Sequence, residues 1–327
     1  SSMRKNLIEK IGFSQELKEI LQGCKHITIP TSRAEIYEMI FGKEHTDCFD
    51  VTYRINGQQK KEAYVVRCRN GAVVNYTEDY MRRRDPDCMV IADEKPTDKQ
   101  RFEKVYGYKF GALRTETLLW LKERELVIVP FKAGGKEYGY PAILICPQNA
   151  SFFAYALANL QAFVNIDKEN APFVPRAIIY VAPPFRHTHF EGKQVCVHNR
   201  LEQCHEIFSY NLYPGPSAKK GVYSVLLDIG ESENWVTAHA SAARIITPYE
   251  NEIVMMHEGA SGGGKSEMLE KEHRVADGRI LLGTHTITGG KNYIHMGDTC
   301  DIGPISDDMA MCPPAIQENH GKLGIID

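Results

Sequence analysis

A mixed α/β fold in two parts is predicted by three features of the 327-residue sequence. Short runs rich in Val and Ile recur through its first half, helical patterns fall between some of them, and a glycine-rich loop sits between a strand pattern and a short helical pattern at 259–266. The runs cover residues 64–67, 88–92, 126–131, 142–146 and 177–181. Continuous apolar runs of this length read as strands buried on both faces. An opening amphipathic helix is expected over Gln15–Gln22, with Ser14 as its cap and Gly23 as its stop. Further helices are expected over 97–105, 116–122 and 151–163, the last capped by Ser151. In the second half, strands are expected at 222–227, 244–247 and 253–257. The turn-rich stretch at 182–189 suggests a boundary near 200–210, giving an α/β domain at 1–205 and a loop-bearing domain at 206–327.

Hydrophobic residues make up 43% of the chain and charged residues 25%, the balance of an ordinary soluble globular protein. The formal net charge of −3 offers no cationic footprint for nucleic acid. The cluster Arg82-Arg83-Arg84 is followed by Asp85 and Asp87 and reads as a solvated loop. The nine cysteines are odd in number, with no Cys-x-x-Cys pair, which predicts reduced thiols in a cytoplasmic protein rather than a disulfide frame or zinc site. The uncharged stretch 138–166 contains Pro141, Pro147, Gln148, Asn149, Asn159 and Gln161, too polar a middle for a membrane span.

The loop reads Gly259-Ala260-Ser261-Gly262-Gly263-Gly264-Lys265-Ser266, the Gly-x-x-x-x-Gly-Lys-Ser pattern of a phosphate-binding loop. Glycines let the backbone turn its amides onto phosphate oxygens. The lysine reaches the β- and γ-phosphates, and the serine hydroxyl ligates Mg²⁺. Residues 253–257 are the expected entering strand and 266–271 the expected leaving helix, whose N-terminus would face the same anion.

Ser261 and Gly262 within that loop resemble the phosphate loop of the phosphoenolpyruvate carboxykinase superfamily, and Ser266-Glu267 resembles the loop ending of HPr kinase in that superfamily. Two upstream segments are similar in the same order. Tyr213-Pro214-Gly215-Pro216-Ser217-Ala218-Lys219-Lys220-Gly221 resembles the family's tyrosine and lysine-pair segment, and His239-Ala240-Ser241-Ala242 its His-Cys-Ser-Ala segment. The strand pattern at 63–67 resembles a family strand, and Arg54 is the nearest candidate for the arginine that binds the substrate carboxylate.

The resemblance implies a phosphoenolpyruvate-carboxykinase-type domain and two-metal phosphoryl transfer from ATP or GTP. Mg²⁺ would sit at Ser266, and Mn²⁺ at Lys220, His239 and Asp308. Lys265, Lys219, Tyr213 and Arg54 would be the catalytic and substrate-contacting residues, and 259–267 would cradle the nucleotide. For the metal carboxylates two candidates stand: Asp307 with Asp308, and Asp277. The adjacent pair is preferred because two carboxylates can serve two metals.

Taken singly, each residue also has a structural reading: a solvated lysine turn, a core histidine, or aspartates capping a helix at Met309. His187 and His189 read as a chance His-x-His in a loop, and His257 as a strand residue. Departures from the family pattern are Ser266 and Glu267 after the lysine, Gly215-Pro216-Ser217-Ala218 ahead of the lysine pair, and an end at Asp327 before the family's adenine region. The chain is therefore expected to be a fragment of a longer protein. Its partners would be a nucleotide and a small carboxylate, with neither nucleic acid nor membrane. The alternatives are a kinase of the same fold acting on a protein serine or small alcohol, and a non-catalytic nucleotide-binding module.

Overall fold

Leu17 and Leu21 lie one turn apart and are both buried, while the Ser14 hydroxyl accepts from the Leu17 amide at 3.3 Å, so α1 (Gln15–Gln22) starts and stops where the pattern places it. The structure is a computed structural model that describes residues 7–42, 46–78, 85–260, 262–270, 272–297 and 299–326. Arg82-Arg83-Arg84 and Ser261 lie outside the described residues. The chain is of mixed α/β class and divides into two units, Ser1–Leu226 and Leu227–Asp327.

In the first unit, β1 (Ile27–Thr28) and α2 (Arg33–Ile40) lead into an antiparallel meander of β2 (Cys48–Ile55), β3 (Gln58–Cys68) and β4 (Gly71–Tyr76). Then come β5 (Met89–Ile91), α3 (Phe102–Tyr106), α4 (Phe110–Lys122), β6 (Leu126–Ala133), β7 (Tyr140–Pro147), α5 (Ser151–Leu160), β8 (Ala162–Phe163) and β9 (Ala177–Val181). A short α6 (Phe185–His189), β10 (Cys196–Arg200), β11 (His205–Ser209) and α7 (Lys220–Ser232) follow. One mixed sheet runs in the order β1-β6-β7-β9-β11-β10-β5, with β8 beside β6. β7, β9 and β11 are mutually parallel, and β6 and β10 run against them. Leu126 to Val129 on β6 and Ile143, Leu144 and Ile145 on β7 are all buried, as expected of strands covered on both faces. Phe208 stacks on Tyr180 at 4.7 Å between ring centres and meets Phe110 edge-on.

Five expectations need correction. The unit boundary falls inside α7, not at 205/206, because β11 pairs with both β9 and β10 in the interior of the sheet. Residues 222–227 are helical: Val222, Val225, Leu226 and Ile229 are buried and recur at i, i+3, i+4 and i+7, a face that a six-residue window hides. The pattern at 97–105 becomes a turn, where the Thr97 hydroxyl accepts from the Lys99 amide, and only then α3. Ser151 does not cap α5; Ala150 holds that position, and the Ser151 hydroxyl donates back to the Gln148 carbonyl. Residues 64–67 do lie in a strand, but Ala63 and Val65 are buried while Tyr64 is exposed, the alternation of a one-sided sheet.

The meander is tied to α6 through charge. Arg186, 1% exposed, donates to both sides of its surroundings: to Glu62 at 3.0 and 3.1 Å and to Glu78 at 3.2 and 3.3 Å. His187 binds the other Glu62 oxygen. Glu62 is fully buried, and these partners satisfy its side-chain oxygens. A second buried polar pair joins β10 to β11, where His198 Nδ1 and His205 Nε2 lie 2.8 Å apart. Burial first, then the charges of His205 and Arg200, hold the His198 ring well below the usual histidine range.

The second unit is built from short strands. β12 (Val236–Ala238) pairs with β19 (Ala310–Cys312), and β13 (Ala240–Ile246) lies between β14 (Glu252–Glu258) and β18 (Asp301–Ser306), all antiparallel. β15 (His273–Arg274), β16 (Ile280–Thr284) and β17 (Lys291–Ile294) form a third sheet, with β16 and β17 in the hairpin expected between the loop and Asp307. Among the described residues no helix is long and apolar enough to cross a membrane.

Two outcomes follow for the first unit. Arg186→Ala leaves the Glu62 carboxylate buried without its main partner and is expected to cost about 3–5 kcal/mol in urea unfolding. Adding Glu62→Gln should recover part of that loss, and a single variant as stable as the parent would refute the pairing. Because the folded His198 pKa is depressed, its contribution to stability is complete above about 6.5, the unfolded value, and drains away as pH falls below it. Glu16, Glu78 and Asp93, lowered by arginine partners, act only in the more acidic carboxylate range. Unfolding midpoints between pH 7.5 and 5.5 should therefore drop for the parent and drop less for His198→Gln. Equal slopes would exclude His198 as the source.

Candidate functional site

The phosphate-loop segment leaves β14 and turns back on itself. Gly262 and Gly264 have φ of +79° and +89°, a region that side chains disfavour, and a Cβ on Gly263 would stand 2.9 Å from the Ala260 carbonyl oxygen. The glycine run is thus required by the turn itself. The Gly263 amide donates to the Ala260 carbonyl at 3.0 Å, and the Gly259 amide to the His239 carbonyl at 3.3 Å. Lys265 is 7% exposed; its ammonium also donates to the Ala260 carbonyl, at 3.1 Å. Its own carbonyl accepts from the buried Ser241 hydroxyl at 2.9 Å. The loop is closed, with its lysine folded over it.

The leaving helix expected over 266–271 is not formed. Glu267–Leu269 makes a single 3₁₀ turn, closed by the Leu269 amide on the Ser266 carbonyl at 3.1 Å. Only Leu269 is anchored in the core, while Glu267, Met268 and Glu270 are exposed, too little burial to offset helix nucleation. A single 3₁₀ turn offers no helix N-terminus to an anion.

The two aspartates arrive from the end of β18. β13 pairs with β18 through Ala242 and Ser306, so the residues after Ser306 reach the side of the sheet from which His239 enters β13. The Ser266 hydroxyl donates to Asp307 Oδ1 at 2.8 Å, and His239 Nε2 lies 3.0 Å from Asp308 Oδ1. Asp308 has φ of +68°, a left-handed conformation that Asp tolerates better than most residues and that clusters at functional sites. Asp307 and Asp308 lead into β19 and cap no helix. Asp277 behaves differently: the Arg279 amide and guanidinium hold it at 3.1 and 2.7 Å and lower its carboxyl below the usual range. Of the two candidate sets, Asp307 and Asp308 are the ones joined to Ser266 and His239.

Of the remaining candidates, Arg54, Tyr213, Lys219 and Lys220 belong to the first unit, and His257 and Glu267 to the second. Arg54 is exposed on β2 opposite Gln59. Tyr213 is half-buried, its amide donating to the Asn211 side-chain oxygen at 2.8 Å and its ring edge-on to Tyr76. Lys219 is exposed at the end of the turn Gly215–Lys219, and Lys220, partly buried, opens α7. Glu267 is exposed at the start of its 3₁₀ turn, and His257 lies on β14, as expected. His187 and His189 serve separate carboxylates, Glu62 and Glu116, and form no metal pair with one another.

Among the described residues, no three of His, Cys, Asp and Glu come together in a way that could hold a metal ion by themselves. Sequence reasoning missed a cavity of about 620 Å³ in the first unit, lined by Arg101, Lys104, Lys109, Phe110 and Arg114 among others. No motif marks it, because its lining comes from α3, α4 and strand ends far apart in the chain.

Comparison with curated proteins finds no match. A family model does match, over residues 13–327, and its description is a domain of unknown function, DUF4914. The chain belongs to the DUF4914 family.

Proposed function

We propose that this protein carries a nucleoside-triphosphate-dependent phosphoryl-transfer site of phosphoenolpyruvate carboxykinase type, built on Lys265, Ser266, His239, Asp307 and Asp308. The observation that carries the reading is the double pairing of the adjacent aspartates, Asp307 to the loop serine and Asp308 to His239. A chance glycine turn has no reason to gather a hydroxyl, an imidazole and two carboxylates from three separate segments.

In this reading the donors serve two divalent cations, each completed by phosphate oxygens and water. A hydroxyl and a carboxylate are hard oxygen donors suited to Mg²⁺, which is commonly held by one or two carboxylates, with substrate phosphates and water completing its shell. Mn²⁺ takes carboxylate oxygen, which Asp308 offers beside His239. The Ser306 hydroxyl, beside Asp307 and 4% exposed, has no hydrogen-bond partner among the described residues, so the locus retains unused polar capacity. When bound, the cations supply positive charge against the transferring phosphoryl group and the acceptor.

The chain's own groups do the positioning. Lys265 exchanges the Ala260 carbonyl for the β- and γ-phosphates of ATP or GTP, and the amides of Gly262 and Gly264 face the same oxygens. The acceptor in this reading is a small carboxylate. With oxaloacetate as that carboxylate, the bond to the departing CO₂ breaks and its electron pair forms the enolate. The enolate oxygen then takes the γ-phosphoryl group as its bond to the β-phosphate oxygen breaks.

The deciding measurement offers ATP or GTP with Mg²⁺ and Mn²⁺, with and without oxaloacetate, to the protein and to Lys265→Ala, His239→Ala, Asp307→Asn and Asp277→Asn. Phosphoenolpyruvate formation is expected to fall by roughly 10²-fold or more in the first three and to be unchanged in Asp277→Asn. Nucleotide consumption without phosphoenolpyruvate would move the reading to a kinase with another acceptor. A parent protein that binds neither nucleotide would end it.

A further inference from the structure

The strand that leads into the loop has an unusual surface. In β14 the side chains of Ile253, Val254, Met255 and Met256 are 49%, 52%, 43% and 42% exposed, although they form a continuous apolar run and alternate between the two faces of the sheet. Runs of that kind belong to strands covered on both faces. β13, its neighbour, is covered: Ala240, Ala242 and Ala243 are buried. The other edge of β14 pairs with no strand among the described residues.

The hydrogen-bond parity of the ladder shows which groups that edge presents. The Gly259 amide donates to His239 and the Thr247 amide to Asn251, so the directly bonded pairs of β13 and β14 fall at odd positions: 241 with 257, 243 with 255, 245 with 253. The main-chain groups of Val254, Met256 and Glu258 therefore point outward. Soluble proteins guard such an edge with Lys, Pro, a bulge or a covering segment. The sequence Glu252-Ile253-Val254-Met255-Met256-His257-Glu258 has none of the first two, and no register shift interrupts its pairing with β13.

We infer that the outer edge of β14 is a docking site for an extended polypeptide segment with an apolar centre and Lys or Arg at both ends. The charges select that occupant. Glu252 and Glu258 stand at the two ends of the apolar run, and Glu252 is only weakly compensated by Arg244, since both side chains are about half exposed. A second copy of β14 does not fit. Full-length antiparallel pairing places Glu252 opposite Glu258 twice, and in-register parallel pairing places each glutamate opposite itself, and like charges in direct opposition destabilise a sheet. A strand with cationic ends turns both oppositions into attractions, while the main-chain bonds provide the affinity.

The test uses the peptide acetyl-Lys-Val-Thr-Val-Thr-Val-Lys-amide and its counterpart with Glu at both ends, with binding read by titration and by amide hydrogen exchange. The cationic peptide should bind roughly tenfold more tightly than the acidic one and slow exchange at Val254, Met256 and Glu258. Met256→Pro, at an outward position, should abolish this while the Met255 amide stays protected by β13. The double variant Glu252→Lys, Glu258→Lys leaves the backbone untouched and should reverse the preference between the peptides. Equal binding of the two peptides, unchanged exchange at the edge, or no reversal in the charge-swapped variant would overturn the proposal. So would protection of the same amides by self-association without peptide, which would make a second copy the occupant.

Discussion

The hydrogen bond from Ser241 to the Lys265 carbonyl is the constraint on which the second unit's candidate site depends. A carbonyl in a tight loop outside any regular element must find a donor if it is buried. Here the donor is a fully buried serine on β13, flanked by the equally buried Ala240 and Ala242. That one bond fastens the lysine to β13. The same strand carries the main chain directly to His239 on one side and pairs with β18, and hence with the approach to Asp307 and Asp308, along its edge. Lysine, imidazole and carboxylates are positioned by a single short strand.

Much of the first unit could be read from local pattern because its strands obey one rule. β6, β7 and β9 are covered on both faces, so unbroken runs of Val, Ile and Leu mark them without help from tertiary structure. Reading failed where a short window could not separate two periods. The run from Val222 to Leu227 looks extended over its six residues and helical over eight, and Ile229 is the position that decides. It also failed where the missing term was long-range. Nothing near Glu62 in the chain shows that its carboxylate will be buried against Arg186, since the partner comes from α6 more than a hundred positions on.

The candidate site was legible in its residue types and order, and less so in its local geometry. Two adjacent aspartates on a strand end were preferred over Asp277 on chemical grounds, and the structure ties them to the loop serine and His239. The left-handed backbone at Asp308 left no trace in composition, because Asp is common in ordinary turns. The helix expected after Ser266 failed for an energetic reason. Its segment holds one buried apolar residue, Leu269, and such a segment gains too little from packing to order a second turn.

The resting position of Lys265 bears on how such a loop could work. Its ammonium is nearly buried and bound to a neutral acceptor, the Ala260 carbonyl. A bond of that type is worth about 0.5–1.5 kcal/mol net, or up to roughly 3 when one partner is charged. Phosphate would add the attraction of opposite charges to a bond whose donor is already ionised. Exchange of carbonyl for phosphate is therefore favourable at the lysine and requires no unfolding of the turn, because the Gly263 amide continues to hold Ala260. The carbonyl keeps the buried charge solvated by the protein, so a closed loop of this kind is compatible with the proposed anion binding rather than opposed to it.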